Sequence, residues 1–353
     1  MMSRERNCSF LKACRREETA FTPVWLMRQA GRYMREYQAI RAKVDFLTLC
    51  KTPELATEAT MLPVNLLGVD AAILFSDILI PVEAMGMEVV FTEHRGPVFP
   101  RPVRSEEQIS GIVPPRIEEK TPFVFEAIRM IRKELAGRIP LIGFSGAPYT
   151  LATYMIEGET SRNFYAIKKW MYKSPESLHR LLEKTSATVI EYVRAQVRAG
   201  AEAIQIFDTW AGALSVDDYK LFSFPYVREI IAEIKKSGVP AILYVNGGGA
   251  LLAQMAATGA DVISLDWRTD IGDARTRFGQ KVALQGNLDP CVLYADPETI
   301  RKQVRMILEK FGNGPGHIFN LGHGILPDTP FENARELIRL VHEESLIYHG
   351  KIS

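Results

Sequence analysis

The sequence predicts an α/β fold, a single TIM-type (β/α)8 barrel occupying residues 1–353, and three observations lead there. About eight short apolar runs recur, each ending in Gly, Asp, Asn or His and each followed by a helical stretch, which is the number of units a closed barrel needs. The runs are nearly continuous in apolar residues, as parallel strands covered on both faces are. No linker, charge block or low-complexity segment divides the chain.

Taken in order, residues 1–20 open with MMSRERNCSFLKACRREE, a basic stretch with no apolar signal core that also carries Glu5, Glu17 and Glu18. This disfavours a targeting peptide and suggests a short amphipathic helical extension. The expected strands are VWLMRQAG, AAILFSD, PLIGFSGAP, AIQIFDTWAG, AILYVNGGG, DVISLDW, KVALQGNLDP and HIFNLGHG. Between them, TPEL, SPES, DPET and TPFE each place a capping residue (Thr52, Ser174, Asp296, Thr329) before a proline at the first helical position. In the last of these, Glu332 would complete a capping box. After Asp296, the apolar residues Ile300, Val304, Ile307, Leu308 and Phe311 recur at helical spacing and stop at Gly312, which marks a core-facing helix. The stretch GMEVVFTEHRGPVFPRPVR interrupts the rhythm and suggests a β-hairpin inserted after the second strand, near the barrel mouth. An open doubly wound sheet fits less well. No GxGxxG follows the first strand, and Gly247, Gly248 and Gly249 suit a tight turn better than that motif.

Composition narrows the function. A net charge of +1 and 47% hydrophobic residues disfavour a general nucleic-acid or membrane binder, so any anion must meet a local cluster of positive charge. No apolar run reaches the roughly 18 residues of a membrane helix. Cys8, Cys14, Cys50 and Cys291 are scattered, which suggests neither zinc knuckle nor disulfide framework and fits a reducing, cytoplasmic setting. Walker, HExxH and GxSxG motifs are missing, and the six histidines show no ligand spacing except for His317 with His323. No metal site is expected.

In such a barrel the reacting groups gather at the C-terminal ends of the strands. The polar residues there are Arg28, Arg32, Asp77, Tyr154, Asp208, Thr209, Asn246, Asp266, Asn287, Asp289 and His323. The set is rich in hydrogen-bonding groups and poor in nucleophile–base pairs. Arg28 and Arg32 flank Gly31 at a strand end, where the backbone can turn sharply or approach a ligand, and guanidinium forks match carboxylates. The competing reading is an internal salt bridge to Glu36 or Asp77. Asp77, in ILFSDILI, is costly to bury unless something donates to it. It either caps a helix or pairs with arginine, or it waits for N–H groups or a cation on a ligand. Phe144 and Tyr149, in GFSGAPYT, suit walls of a cleft. Tyr154 could present its phenol to that cleft or sit satisfied in the core, and His323, between two glycines, could serve function or bond backbone.

Several of these segments coincide with one family. PVWLMRQAGR and GFSGAPYTLATYM resemble the two signature segments of uroporphyrinogen decarboxylase, and FSDIL, LQGNLDP and NLGHGI resemble its other recurrent segments, in matching order from about Thr22 to the C-terminal helix. The resemblance implies a (β/α)8 barrel working as a homodimer without a cofactor. It implies decarboxylation of the acetate side chains of uroporphyrinogen III to coproporphyrinogen III in haem biosynthesis. Carried over by motif, Arg28 and Arg32 bind substrate carboxylates, Asp77 faces the pyrrole N–H groups, Tyr154, Thr209 and His323 supply hydrogen bonds, and Phe144 packs on the macrocycle. Two positions depart from the family pattern: Arg35 stands where a proline is usual, and Thr209 where serine is frequent.

The chemistry implied by this resemblance accounts for the residue types. Loss of CO2 leaves an electron pair that needs a sink, which a ring-protonated pyrrole supplies without a cofactor. A fixed carboxylate such as Asp77 stabilises that cation, while the arginines position the acidic side arms. Arg28 is a candidate proton donor by proximity, but a guanidinium is a very weak acid and a bound water is the other candidate. The alternatives are a zinc-dependent methyltransferase of the same superfamily and a non-catalytic tetrapyrrole-binding protein. The first needs a His-x-Cys pair where this chain reads LYVNGG.

Overall fold

Seven strands form one curled parallel sheet, and their position follows the apolar runs. β1 is Ala72–Ile73; β4, β5, β6, β7, β8 and β9 are Leu141–Gly146, Ala203–Phe207, Ala241–Tyr244, Val262–Ser264, Ala283–Gln285 and His317–Ile318, and they neighbour one another in that order. Two short strands, β2 (Val90–Thr92) and β3 (Gly96–Val98), pair antiparallel outside the sheet. The structure, a computed structural model, describes residues 9–92, 96–161 and 163–350. The residues that would turn β2 into β3, and Met1–Cys8 of the expected helical extension, therefore lie outside the described residues. Residues 9–14 are helical, with Phe10, Ala13 and Cys14 buried.

The first apolar run is not a strand. Only Val24 makes a parallel bridge, to Phe319 just beyond β9. Yet this segment is tied to both edges of the sheet. Trp25 N–H donates to Phe319 C=O (3.3 Å), Phe319 N–H to Pro23 C=O (2.8 Å), and Asp70 N–H, just before β1, to Val24 C=O (2.8 Å). Inside the curl, Trp25 Nε1–H donates to Gln285 Oε1 (2.9 Å), and Gln285 Nε2–H donates to Ser264 Oγ (2.9 Å) and Gln205 Oε1 (3.1 Å). Buried amides need such partners, and this chain of bonds joins the first segment to β5, β7 and β8. The C-terminal helix Phe331–Ser345 and the residues after it close the same seam: His342 shares a hydrogen bond with Asp70 (2.7 Å), Thr22 N–H donates to Ser345 Oγ (3.0 Å), and Thr22 Oγ1 lies 2.9 Å from His349 Nε2.

The helices cover the outside of the sheet with apolar stripes. Pro297–Phe311 buries Ile300, Val304, Ile307, Leu308 and Phe311 and ends at Gly312 with φ +75°, as its spacing predicts. Asp296 caps it through Thr299 N–H. The other three expected caps do not form. Thr52 donates its hydroxyl backward to Thr48 C=O (2.8 Å), Ser174 makes no side-chain cap, and the last helix starts one residue late, with Pro330 at its cap, so that no capping box forms at Thr329. Among the described residues no helix is long and apolar enough to cross a membrane.

Candidate active site

Arg28 occupies the third position of a turn closed by Gln29 N–H to Leu26 C=O (2.9 Å) and has φ +65°, a left-handed conformation. A residue with a Cβ pays roughly 1–2 kcal/mol there, which is why turns of this shape take glycine or asparagine. The surroundings enforce it. Met27 N–H donates to Asn320 Oδ1 (2.9 Å), Ile325 N–H donates to Met27 C=O (2.9 Å), and Gln29 spans the turn from Leu26 N–H (3.1 Å) to Ala71 C=O (3.2 Å). The sharp bend expected at Gly31 therefore lies at Arg28 itself. Non-glycine residues held in this region cluster at functional sites. Among the described residues neither Arg28 nor Arg32 pairs with a carboxylate, and both are exposed. The internal salt bridges to Glu36 or Asp77 are not made.

Asp77 follows β1 in a loop, not in a strand. Its Oδ1 accepts Leu79 N–H (2.8 Å), a local turn leading into the helix Ile80–Ala84. No cation pairs with it among the described residues. Burial pushes its pKa up to about 6, opposed by the Leu79 N–H and by the positive charge of Arg28. Its charge and that of Arg28 both reach Tyr154, whose phenol burial pushes to about 12. Arg28 also reaches His323, where burial first and then Arg28 hold the pKa down at about 4. At neutral pH His323 is therefore a neutral imidazole, fit to give or take a hydrogen bond but not to serve as a cation.

Aromatic rings complete the mouth. Phe144 meets Phe207 edge-on (5.7 Å), Phe207 meets Tyr244 (6.0 Å), Tyr244 meets His323 (6.5 Å), and His323 meets Trp267 (6.2 Å). Tyr154, on the helix Pro148–Glu157, meets Trp210 edge-on at 5.8 Å. Phe144 is fixed through its backbone. Gln196 of the helix Pro175–Ala199 accepts Phe144 N–H (2.9 Å) and donates to Phe144 C=O (2.8 Å), and Gly143 leaves room for that amide, since a Cβ there would stand 2.4 Å from Gln196 Oε1.

Arg28 thus acts on the charge of Asp77, Tyr154 and His323, Asp77 acts on Tyr154, and Phe144 joins His323 through the ring series. Thr209 stands at the exit of β5 between Asp208 and Trp210, half-buried, and Arg32 lies one turn beyond Arg28, where its charge reaches Tyr37. Four other strand-end residues are bound into the scaffold. Asp208 accepts from Thr150 Oγ1 (2.7 Å) and Ser223; Asp266 accepts from Gly247 N–H (2.7 Å), Arg268 Nε (2.8 Å) and Thr269 (2.9 Å). Asn287 donates to Asp266 C=O and Thr269 C=O (both 2.7 Å), and Asp289 caps a short turn at Cys291. Tyr244, Phe207, Trp210 and Trp267 were not singled out by sequence; only their places at the ends of runs such as DVISLDW hint at them. Arg35 is the first residue of the helix Arg35–Arg41, a position whose N–H has no intrahelical partner, so proline and arginine both fit. Among the described residues no three His, Cys, Asp or Glu side chains gather as a metal site would require.

Comparison with known proteins bears on this mouth. A family model described as uroporphyrinogen decarboxylase (URO-D) matches residues 5–344. A protein of Carboxydothermus hydrogenoformans named uroporphyrinogen decarboxylase is 51% identical over 98% of this chain and 99% of its own length, and one of Geobacter metallireducens with the same name is 52% identical over 96% and 99%. Among solved structures, a methyltransferase from Methanosarcina mazei superposes with a TM-score of 0.80 at 23% identity, over 96% of this chain and 98% of that one, which shows a shared fold.

Proposed function

The chain belongs to the uroporphyrinogen decarboxylase family, and from that premise we propose how its mouth performs the reaction. The protein is a carboxy-lyase acting in tetrapyrrole biosynthesis. We read its substrate as uroporphyrinogen III, whose acetate side chains lose CO2 to give coproporphyrinogen III.

The single observation that carries the mechanism is Asp77: a carboxylate with no partner cation among the described residues, its pKa pushed to about 6, within reach of the Arg28 charge and acting on Tyr154. In this reading Asp77 accepts hydrogen bonds from the pyrrole N–H groups. When a ring carbon is protonated, the fixed negative charge stabilises the delocalised cation that draws in the electron pair released with CO2. Arg28 and Arg32, unpaired with carboxylates among the described residues, hold the acidic side arms. Tyr154, Thr209 and His323 supply hydrogen bonds, and Phe144 packs against the macrocycle. The ring proton comes from Arg28 or from a water held beside it; once CO2 has left, the side-chain carbon takes up a proton to become the methyl group and the ring carbon gives its proton back, which restores the pyrrole.

The bonds from Pro23–Trp25 to both sheet edges support reading residues 1–353 as one closed eight-unit barrel, with β2 and β3 as a hairpin beside its mouth. We also propose a homodimer, for which the exposed Tyr165, Tyr172 and Leu221 offer apolar surface, and a cytoplasmic setting that suits the free thiols of Cys14, Cys50 and Cys291. Incubating the purified protein with uroporphyrinogen and separating the oxidised porphyrins by carboxyl number tests the activity. Unchanged octacarboxylate would refute it. Sedimentation at a single-chain mass would refute the dimer.

A further inference from the structure

We infer that Gly324 is a positioning residue for Arg28: the side chain missing at 324 is the groove along which the arginine stem lies, and that groove aims the guanidinium into the mouth. This rests on the reading of Arg28 as a substrate ligand given above. A Cβ at position 324 would stand 2.3 Å from Arg28 Cδ and 2.8 Å from both Cγ and Nε. Those three atoms belong to one long, exposed side chain. The backbone of Gly324 is not left-handed, so alanine suits its conformation.

Gly322, two residues earlier, is different. Its Cβ would stand 2.2 Å from Trp267 N and 2.8 Å from Trp267 Cα, both backbone. The two glycines that flank His323 therefore serve different ends. Gly322 lets two loops meet, whereas Gly324 shapes the path of a side chain. Arg28 cannot escape a new methyl by moving its main chain. That turn is held by Asn320 (2.9 Å), Ile325 (2.9 Å) and Gln29, with φ fixed at +65°. The stem must swing instead, carrying the charge away from Asp77, Tyr154 and His323.

The test is a double-mutant cycle on the full chain with Gly324→Ala, Arg28→Ala and the pair, measuring kcat and KM for uroporphyrinogen together with thermal midpoints. Gly324→Ala is expected to melt as the wild type does and to lose roughly 10- to 100-fold in kcat/KM, mainly through KM, because a misplaced positioning group costs that much. In the pair, Gly324→Ala is expected to add no loss beyond Arg28→Ala, which a merely structural role would not produce. Wild-type kinetics in Gly324→Ala, or an undiminished loss when Arg28 is already gone, overturns the inference. An Arg28→Ala variant with unchanged kinetics instead refutes the ligand reading on which it rests. Should Gly324→Ala fail to fold, the pair is expected to fold because the clashing stem is absent; an unfolded pair assigns Gly324 to the backbone and overturns the inference as well.

Discussion

Replacing Asp77 by asparagine removes a charge and leaves the shape. Asparagine can still offer Oδ1 to Leu79 N–H, now 2.8 Å away, so the turn into Ile80–Ala84 persists. It can also accept one pyrrole N–H. What disappears is the attraction between a carboxylate and a ring that becomes cationic. At a separation of about 4 Å and an effective dielectric constant near 20 that attraction is about 4 kcal/mol, and because each 1.36 kcal/mol is tenfold in rate it corresponds to about three decades. The retained hydrogen bond offsets part of it, so the expected loss in kcat is roughly 10²–10³-fold, the range for removal of one preorganised electrostatic group. The assay is turnover of uroporphyrinogen under reducing conditions, with products oxidised and separated by carboxyl number. A pH series adds a second readout. Burial raises the Asp77 pKa to about 6, so the group is a carboxylate above that pH and the wild type loses kcat/KM as pH falls through it. The variant has no such acid limb. Turnover within a few-fold of wild type, or an acid limb near pH 6 that survives the substitution, would remove Asp77 from the centre of the mechanism.

Asp208 is fully buried and its pKa is raised from 3.8 to about 6, so the folded state holds its proton more tightly than the unfolded one. Stability from this group is greatest below pH 3.8 and is lost as pH rises to about 6; the stability of wild type relative to Asp208→Asn should fall by about 3 kcal/mol between pH 3.5 and 7, read by urea denaturation. A constant difference would refute that. Gly322→Ala places a Cβ 2.2 Å from the Trp267 backbone nitrogen and should destabilise by about 1–3 kcal/mol or more, seen as a lowered thermal midpoint; an unchanged midpoint shows that the loop yields. Dialysis against a chelator should leave turnover unchanged, whereas a loss restored by zinc would point to the chemistry of the methyltransferase alternative.

Strand positions were legible because each run is long, apolar and covered on both sides. The helix Pro297–Phe311 was legible to its last residue because Asp296, the apolar stripe and Gly312 agree. The first run misled for a physical reason. Leu26 and Met27 are as buried as strand residues, but the burial comes from a turn packed between Asn320 and Ile325, and composition does not separate the two. Capping misled likewise: a threonine hydroxyl can bond backward, as that of Thr52 does, and only geometry tells which way. Among the strand-end polar residues, sequence could not separate those committed to the scaffold, such as Asp208 and Asp266, from those that form no ion pair among the described residues, such as Asp77 and Arg28. The difference lies in Ser223, Thr150 and Gly247, which approach from distant parts of the chain. The ring series from Phe144 to Trp267 has no period along the sequence because each member comes from a different exit.

The seam that joins Thr22–Trp25 to Phe319, Ser345 and His349 has a consequence for how the protein comes into being. A ribosome releases Arg28 long before Asn320, Gly324 and Ile325. Until those arrive, the left-handed turn has only Gln29 to hold it, and the segment is tied to a single sheet edge through Asp70. A nascent chain can pack the helices between them while the two segments wait for each other. Catalytic competence therefore waits for the segment that carries Asn320, Gly324 and Ile325.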